Sequence, residues 1–78
     1  MPDAAAATIN QASQLMQQER YAEALPMLQS QKNDPRALNA LAVALWHTGD
    51  KDAALDYFRR AAQQGNADAR ENLRQLMR

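Results

Sequence analysis

The stretch PRALNALAVALWHTGDKDAALDYFRRAAQQGNAD, residues 35–68, decides the fold. Asp34 precedes it, and Asp34-Pro35 reads as a helix start. The carboxylate caps free N–H groups, and proline fills the first turn, where its missing donor costs little. Leu38, Leu41, Ala42 and Leu45 then follow the i, i+3, i+4, i+7 spacing of an apolar helix stripe. Thr48-Gly49-Asp50 stops that helix and starts another. Glycine takes the left-handed position past a helix end, and aspartate caps the next helix. Ala54, Leu55, Phe58, Ala61 and Ala62 make a second stripe, and Gln64-Gly65-Asn66 repeats the stop-and-start. Two helices joined by so short a turn must run antiparallel.

The same punctuation extends to both sides. Pro2-Asp3 can cap a first helix, and Glu19-Arg20-Tyr21 is a break that lacks glycine. Helices are expected over 4–18, 21–32, 35–48, 51–64 and 66–77. Ala5, Ile9, Ala12, Leu15 and Met16 line the first; Ala24, Leu25 and Leu28 line the second; Ala69, Leu73, Leu76 and Met77 line the last. Pro26 falls early in the second helix. It sits near the first turn if that helix starts near Ala22, and predicts a kink if the helix starts earlier.

Composition agrees. The 78 residues (8.7 kDa) include 17 Ala and 9 Leu, with Thr8, Ile9, Val43 and Thr48 as the β-branched residues. Sheets favour β-branched and aromatic side chains, whereas Ala, Leu, Gln, Arg and Glu are strong helix formers. An all-β or α/β fold is thereby excluded. Nine basic residues balance nine acidic ones, which argues against an electrostatically driven nucleic-acid or membrane binder. There is no cysteine, hence no disulfide or thiolate chemistry. No signal peptide is read at the N-terminus, and no apolar run approaches the roughly 20 residues of a membrane span. A chain this small buries only about 60% of its unfolded surface, so it needs tight helix packing or neighbours.

A shift of about thirty residues aligns the chain with itself. Ala12 meets Ala42, Leu15 meets Leu45, Met16 meets Trp46, Ala24-Leu25 meets Ala54-Leu55, and Leu28 meets Phe58. Self-similarity at a fixed period with two helices per period marks a helical solenoid, in which one hairpin buries its apolar face only against another.

These residues resemble the tetratricopeptide repeat family. Leu38, Leu41, Ala42 and Leu45 stand at the spacing of its first helix, Gly49-Asp50 matches its turn, and Ala54, Phe58 and Ala61 match its second helix. Asn66 stands where the pattern prefers proline. Ala61-Ala62, Gly65-Asn66, Ala69 and Asn72-Leu73 also resemble the Sel1-like branch of the superfamily. The resemblance implies an all-α, short right-handed α-solenoid of antiparallel hairpins. It is read as a single domain over 1–78, with a degenerate first repeat at 4–34, a well-matched second repeat at 35–65 and a capping helix at 66–78. In the first repeat Thr8 and Gln11 replace large apolar residues, as the polar outer face of an end unit requires.

The resemblance further implies a non-catalytic protein-interaction module, with a peptide or partner helix held on a concave face. By position that face presents Arg36, Asn39, Val43, Trp46 and His47 from the third helix. Ala6, Ile9, Ser13, Met16 and Gln17 would come from the first helix, and Asp68, Glu71, Gln75 and Arg78 from the last. Some relatives clamp a C-terminal carboxylate with Lys and Asn; here Val43 stands where a clamp Asn would be expected, and no such clamp is predicted. Trp46 reads as a half-core residue or a contact residue, since tryptophan is usually largely buried yet enriched at hot spots. His47 reads as a favourable charge at a helix C-terminus before it reads as a ligand. Met16 and Met77 read as gap-fillers. Arg59, Arg60, Arg70, Arg74 and Arg78 form the one charge asymmetry. They read as a solvated face with pairing to Asp56 and Asp68, because no aromatic residue interleaves them as a base-stacking platform.

Enzyme chemistry has little to draw on: one histidine, no Gly-rich phosphate loop and no metal-ligand spacing. No cofactor, metal or nucleic-acid partner is expected. The rival reading is a structural or oligomerisation module cut from a larger bacterial protein, with a possible homodimer through the end helices.

Overall fold

The computed structural model describes residues 3–77. It contains five α-helices: α1 (Ala4–Gln17), α2 (Tyr21–Gln29), α3 (Pro35–Thr48), α4 (Lys51–Gln63) and α5 (Ala67–Leu76), with no strand among the described residues. Each packs on the next in the chain, and α1 also reaches α3. The chain is thus a short helical solenoid of two hairpins and a closing helix.

Local chemistry sets the helix ends. Asp3 accepts from the Ala6 amide at 3.1 Å, Asp34 from Arg36 at 2.9 Å, Asp50 from Ala53 at 3.3 Å and Asn66 from Ala69 at 2.8 Å. Four of the five helices therefore carry a side-chain N-cap, each satisfying an amide that has no partner within its helix. Three helices end alike. The Arg20, Asp50 and Asn66 amides reach back five residues to the carbonyls of Leu15, Leu45 and Ala61, at 2.9, 2.9 and 3.0 Å. This turn needs a left-handed residue. Gly49 (φ 98°) and Gly65 (φ 91°) supply it at two ends, and Glu19 (φ 61°) supplies it at the break without glycine.

Helix α2 stops at Gln29, three residues short of the expected end. Ser30 turns its hydroxyl onto the Met27 carbonyl, and the Asp34 amide donates to Gln31. The chain needs those residues to reverse before Pro35, which drives Asp34 out of the helical region. Pro26 lies inside α2, past the first turn. It removes the bond to the Ala22 carbonyl, and both residues are exposed, so water can take that carbonyl.

The core is a seam of small and large residues. Ile9, Ala12, Ala24, Leu28, Ala37 and Leu41 form one cluster; Leu38, Ala42, Ala54, Phe58, Ala61 and Ala69 form the other. Helix α3 feeds both, with Ala37 and Leu41 turned one way and Leu38 and Ala42 the other. Leu45 and Tyr57 pack against both clusters and join them. Fully buried alanines on every helix let the backbones approach closely, so the large side chains Leu28, Leu41 and Phe58 close the remaining space. Among the described residues no polar side chain is buried. Met77, expected on the inner stripe of α5, is 57% exposed. It lies at the C-cap of α5, beyond the last helical turn.

Candidate functional site

The groove lies between α3 and α5. Val43 and Trp46, one turn apart on α3, wall a half-open cavity of about 140 Å³ whose other sides are Phe58, Asn72, Gln75 and Leu76. Both α3 residues are half-buried and pack against the second core cluster. Trp46 is therefore partly core and partly available, combining the two readings of the sequence. Lys51 holds its ammonium 5.1 Å from the Trp46 ring centroid, close enough for a cation–π attraction.

One turn before Val43, Asn39 accepts a hydrogen bond from Asn72 Nδ2 at 3.2 Å. This part-buried pair links α3 to α5 beside the cavity, which Asn72 lines. On α5, the Glu71 carboxylate accepts from Arg74 and from Gln75 Nε2, the latter at 3.2 Å, so Gln75 is oriented at the rim by its own helix. The Arg74 guanidinium also holds the Glu71 carboxyl below its usual range.

Arg36 and His47 are engaged elsewhere in the chain. Arg36 binds both oxygens of Asp34 and reaches Asp3 Oδ2 at 3.1 Å. Its guanidinium thereby ties the start of α3 to the start of α1. The Asp34 carboxyl is held down chiefly by Arg36, and Asp3 first by the Ala6 amide and then by Arg36. Arg36 is itself pushed above the ordinary arginine range. His47 stacks on Tyr21, with ring centroids 4.5 Å apart and planes 5° from parallel. That contact faces the first hairpin, while the cavity faces α5.

The remaining expected positions divide. Gln75 lines the cavity. Ile9 is buried in the first cluster, and Met16 packs against that cluster. Ala6 and Ser13 are half-exposed; Gln17, Asp68 and Glu71 are exposed. Arg78 lies outside the described residues. In the arginine group, Arg60 pairs with Asp56 at 2.9 Å and lies over Tyr57, and Arg74 pairs with Glu71. Among the described residues no ion pair reaches Asp68.

Sequence reasoning assigned Phe58 and Leu76 to the core stripes and passed over Lys51 and Asn72 as site residues. The repeat offered no signal for Asn72: the N-caps Asp34 and Asn66 set the offset between α3 and α5, and at that offset Glu71, not Asn72, corresponds to Asn39.

A tetratricopeptide repeat family model matches residues 9–69. The chain belongs to the tetratricopeptide repeat family. The match runs from Ile9 to Ala69, a buried residue on the first helix and another on the last, so it spans the whole packed seam. No curated protein and no solved structure matches the chain. Tetratricopeptide repeats are generally protein-interaction modules and typically not enzymes. Among the described residues no cluster of His, Cys, Asp and Glu could hold a metal ion, and no helix is long and apolar enough to cross a membrane.

Proposed function

We propose that this repeat domain is a non-catalytic protein-binding module that holds a short peptide or the edge of a partner helix in the α3/α5 groove, on its concave face. One observation carries the reading: Val43 and Trp46 are left half-covered beside a cavity of about 140 Å³. Pockets for drug-sized molecules run to about 300–1,000 Å³. A cavity of this size suits one side chain, which favours a polypeptide ligand over a free metabolite. Asn39, Val43 and Trp46 carry the contact, whereas Arg36, held by Asp34 and Asp3, and His47, stacked on Tyr21, stand outside it. The repeat units run over 4–34 and 35–65, with 66–78 as the cap. The residue order from Ala61 to Leu73 supports placing the second half near the Sel1-like branch.

The polar ends weigh against the oligomerisation reading. Ala37 and Leu41 of α3 are buried against the first hairpin, whereas Ala7 and Gln11, one repeat earlier, are exposed on α1. On α5 the outward residues include Arg70 and Arg74. Polar faces of this kind do not offer the apolar seam that a stable homodimer buries.

The test is a peptide-display selection on the wild-type domain, repeated with Trp46→Ala and with Asn39→Ala, each checked for helicity by circular dichroism. Folded variants that lose the enriched peptides support the groove. Unchanged enrichment with Trp46→Ala removes it.

A further inference from the structure

Two junctions of the same kind follow one another in this chain, α1 with α3 and α3 with α5, and they differ in how closely the helices meet. Helix α1 packs against α3, whereas α5 packs closely on α4 and leaves a gap to α3. We propose that the Asn39–Asn72 pair is a spacer that holds α5 off α3 as a hinged wall, and that α5 closes onto Val43 and Trp46 when the pair is removed. The proposal concerns the width of the groove and stands apart from what the groove binds.

The two junctions can be compared position by position. Counted from the N-caps Asp3, Asp34 and Asn66, Thr8 on α1 stands where Asn39 stands on α3, and Ala40 on α3 stands where Asn72 stands on α5. The first junction therefore has Thr8 and Ala40 in place of the asparagine pair, and both side chains are shorter. In the same register Ala12 answers Val43, and Ala44 answers Leu76. Ala12 and Ala44 are fully buried, whereas Val43 and Leu76 are half-buried. Side-chain bulk does not account for the wider junction. If Val43, Trp46 and Leu76 set the distance between the helices, they would fill the space between them, yet a cavity of about 140 Å³ remains there.

The asparagine pair can set that distance. Nδ2 of Asn72 lies 3.2 Å from Oδ1 of Asn39, which is already hydrogen-bond contact, so the helices come no nearer along that line while both side chains are present. Closing around the pair would also bury two amides that have further donors and acceptors to satisfy. Helix α5 is held in a way that lets it turn once the obstacle is gone. Its start is fixed: Asn66 caps Ala69, the Asn66 amide reaches the Ala61 carbonyl, and Ala69 is fully buried. Its far half rests on Leu73 and Leu76, which are half-buried. Closure moves the remaining apolar surface of Val43, Trp46 and Leu76 out of water, which is favourable.

Trp46 is the chain's single tryptophan and walls the cavity, so its emission reports the spacing. The double variant Asn39→Thr with Asn72→Ala copies the first junction. Closure is expected to shift Trp46 emission to the blue, to lower its quenching by acrylamide, and to strengthen the nuclear Overhauser contacts between the Leu76 methyls and the indole, with helicity by circular dichroism unchanged. Asn72→Ala alone is expected to move the same readouts in the same direction. The sign separates a spacer from a merely stabilising contact, whose loss exposes Trp46. A red shift with stronger quenching therefore overturns the proposal, because the pair is then a latch that holds α5 in. Unchanged emission and quenching overturns it too, since packing on α4 then sets the spacing by itself. Loss of helicity in both variants also overturns it, because a spacer can be removed without unfolding the chain.

Discussion

Replacing Glu19 by glycine is expected to stabilise the protein, although Glu19 lies in a turn far from the groove. Three helices end in the same turn, with the following amide reaching back five residues. Glycine holds the left-handed position in two of them and Glu19 in the third. For a residue with a Cβ that conformation costs about 1–2 kcal/mol, and Glu19→Gly removes the cost. Glycine also widens the unfolded ensemble, which returns about 0.4–1 kcal/mol. Glu19 forms no ion pair among the described residues and is exposed, so little else is lost. The net expectation is about 0.5–1 kcal/mol of stabilisation, or roughly 2–8 °C in Tm for a domain of this size. The reverse changes make the control. A Cβ added at Gly49 or Gly65 meets no atom within 4 Å, so alanine there is opposed by backbone conformation alone. Both glycines sit about 30–40° beyond Glu19 in φ, outside the small left-handed basin open to other residues. Gly49→Ala and Gly65→Ala should each destabilise by about 1 kcal/mol. Thermal melts by circular dichroism, with urea midpoints at constant m, measure all three. If Glu19→Gly lowers Tm, or if all three substitutions shift it in one direction, the strain argument is wrong.

Three further outcomes follow from the packing and the caps. Leu41→Ala empties a fully buried position in the first cluster and should cost about 2–5 kcal/mol; a urea midpoint close to wild type would show that the two hairpins do not depend on this seam. Asn66→Pro moves toward the family pattern yet should destabilise by about 1 kcal/mol. It removes both the side-chain cap on Ala69 and the Asn66 amide bond to Ala61, and proline's unfolded-state gain offsets only part of that loss; a raised Tm would contradict this. In acid, Asp3, Glu23, Asp34 and Glu71 have folded-state pKa values below their reference values of 3.8 and 4.5, Glu23 through its ion pair with Arg20 and the others through the contacts described above. Their contribution is complete above the reference values and is lost as pH falls through the lower folded ones, so the urea midpoint should be flat down to roughly pH 5 and fall below about pH 4. A midpoint unchanged at pH 3 would remove these ion pairs as stabilising contacts.

The elements that were legible in the sequence are those governed by near neighbours. Asp34-Pro35, Gly49-Asp50 and Gly65-Asn66 marked helix ends within a residue or two, because a cap or a left-handed turn is completed within six residues. The thirty-residue shift exposed the seam, because stacked hairpins bury the same faces. The site was only partly legible. Val43 and Trp46 were readable as a face. Arg36 was not readable as engaged, since its second partner, Asp3, lies 33 positions away and depends on how closely α1 and α3 approach. Ile9 had the spacing of a contact residue, yet the first hairpin closes over it.

The sequence by itself determined that this protein is a chain of five short helices and where all of them but α2 stop, because hydrogen bonds at helix ends are settled by residues a few positions apart. Tertiary structure alone decided which exposed-looking groups remain available. It paired Asn39 with Asn72, stacked His47 on Tyr21, placed Lys51 over Trp46 and left a cavity beside α5. Those outcomes turn on distances and crossings between separate helices, which no local pattern of residues encodes.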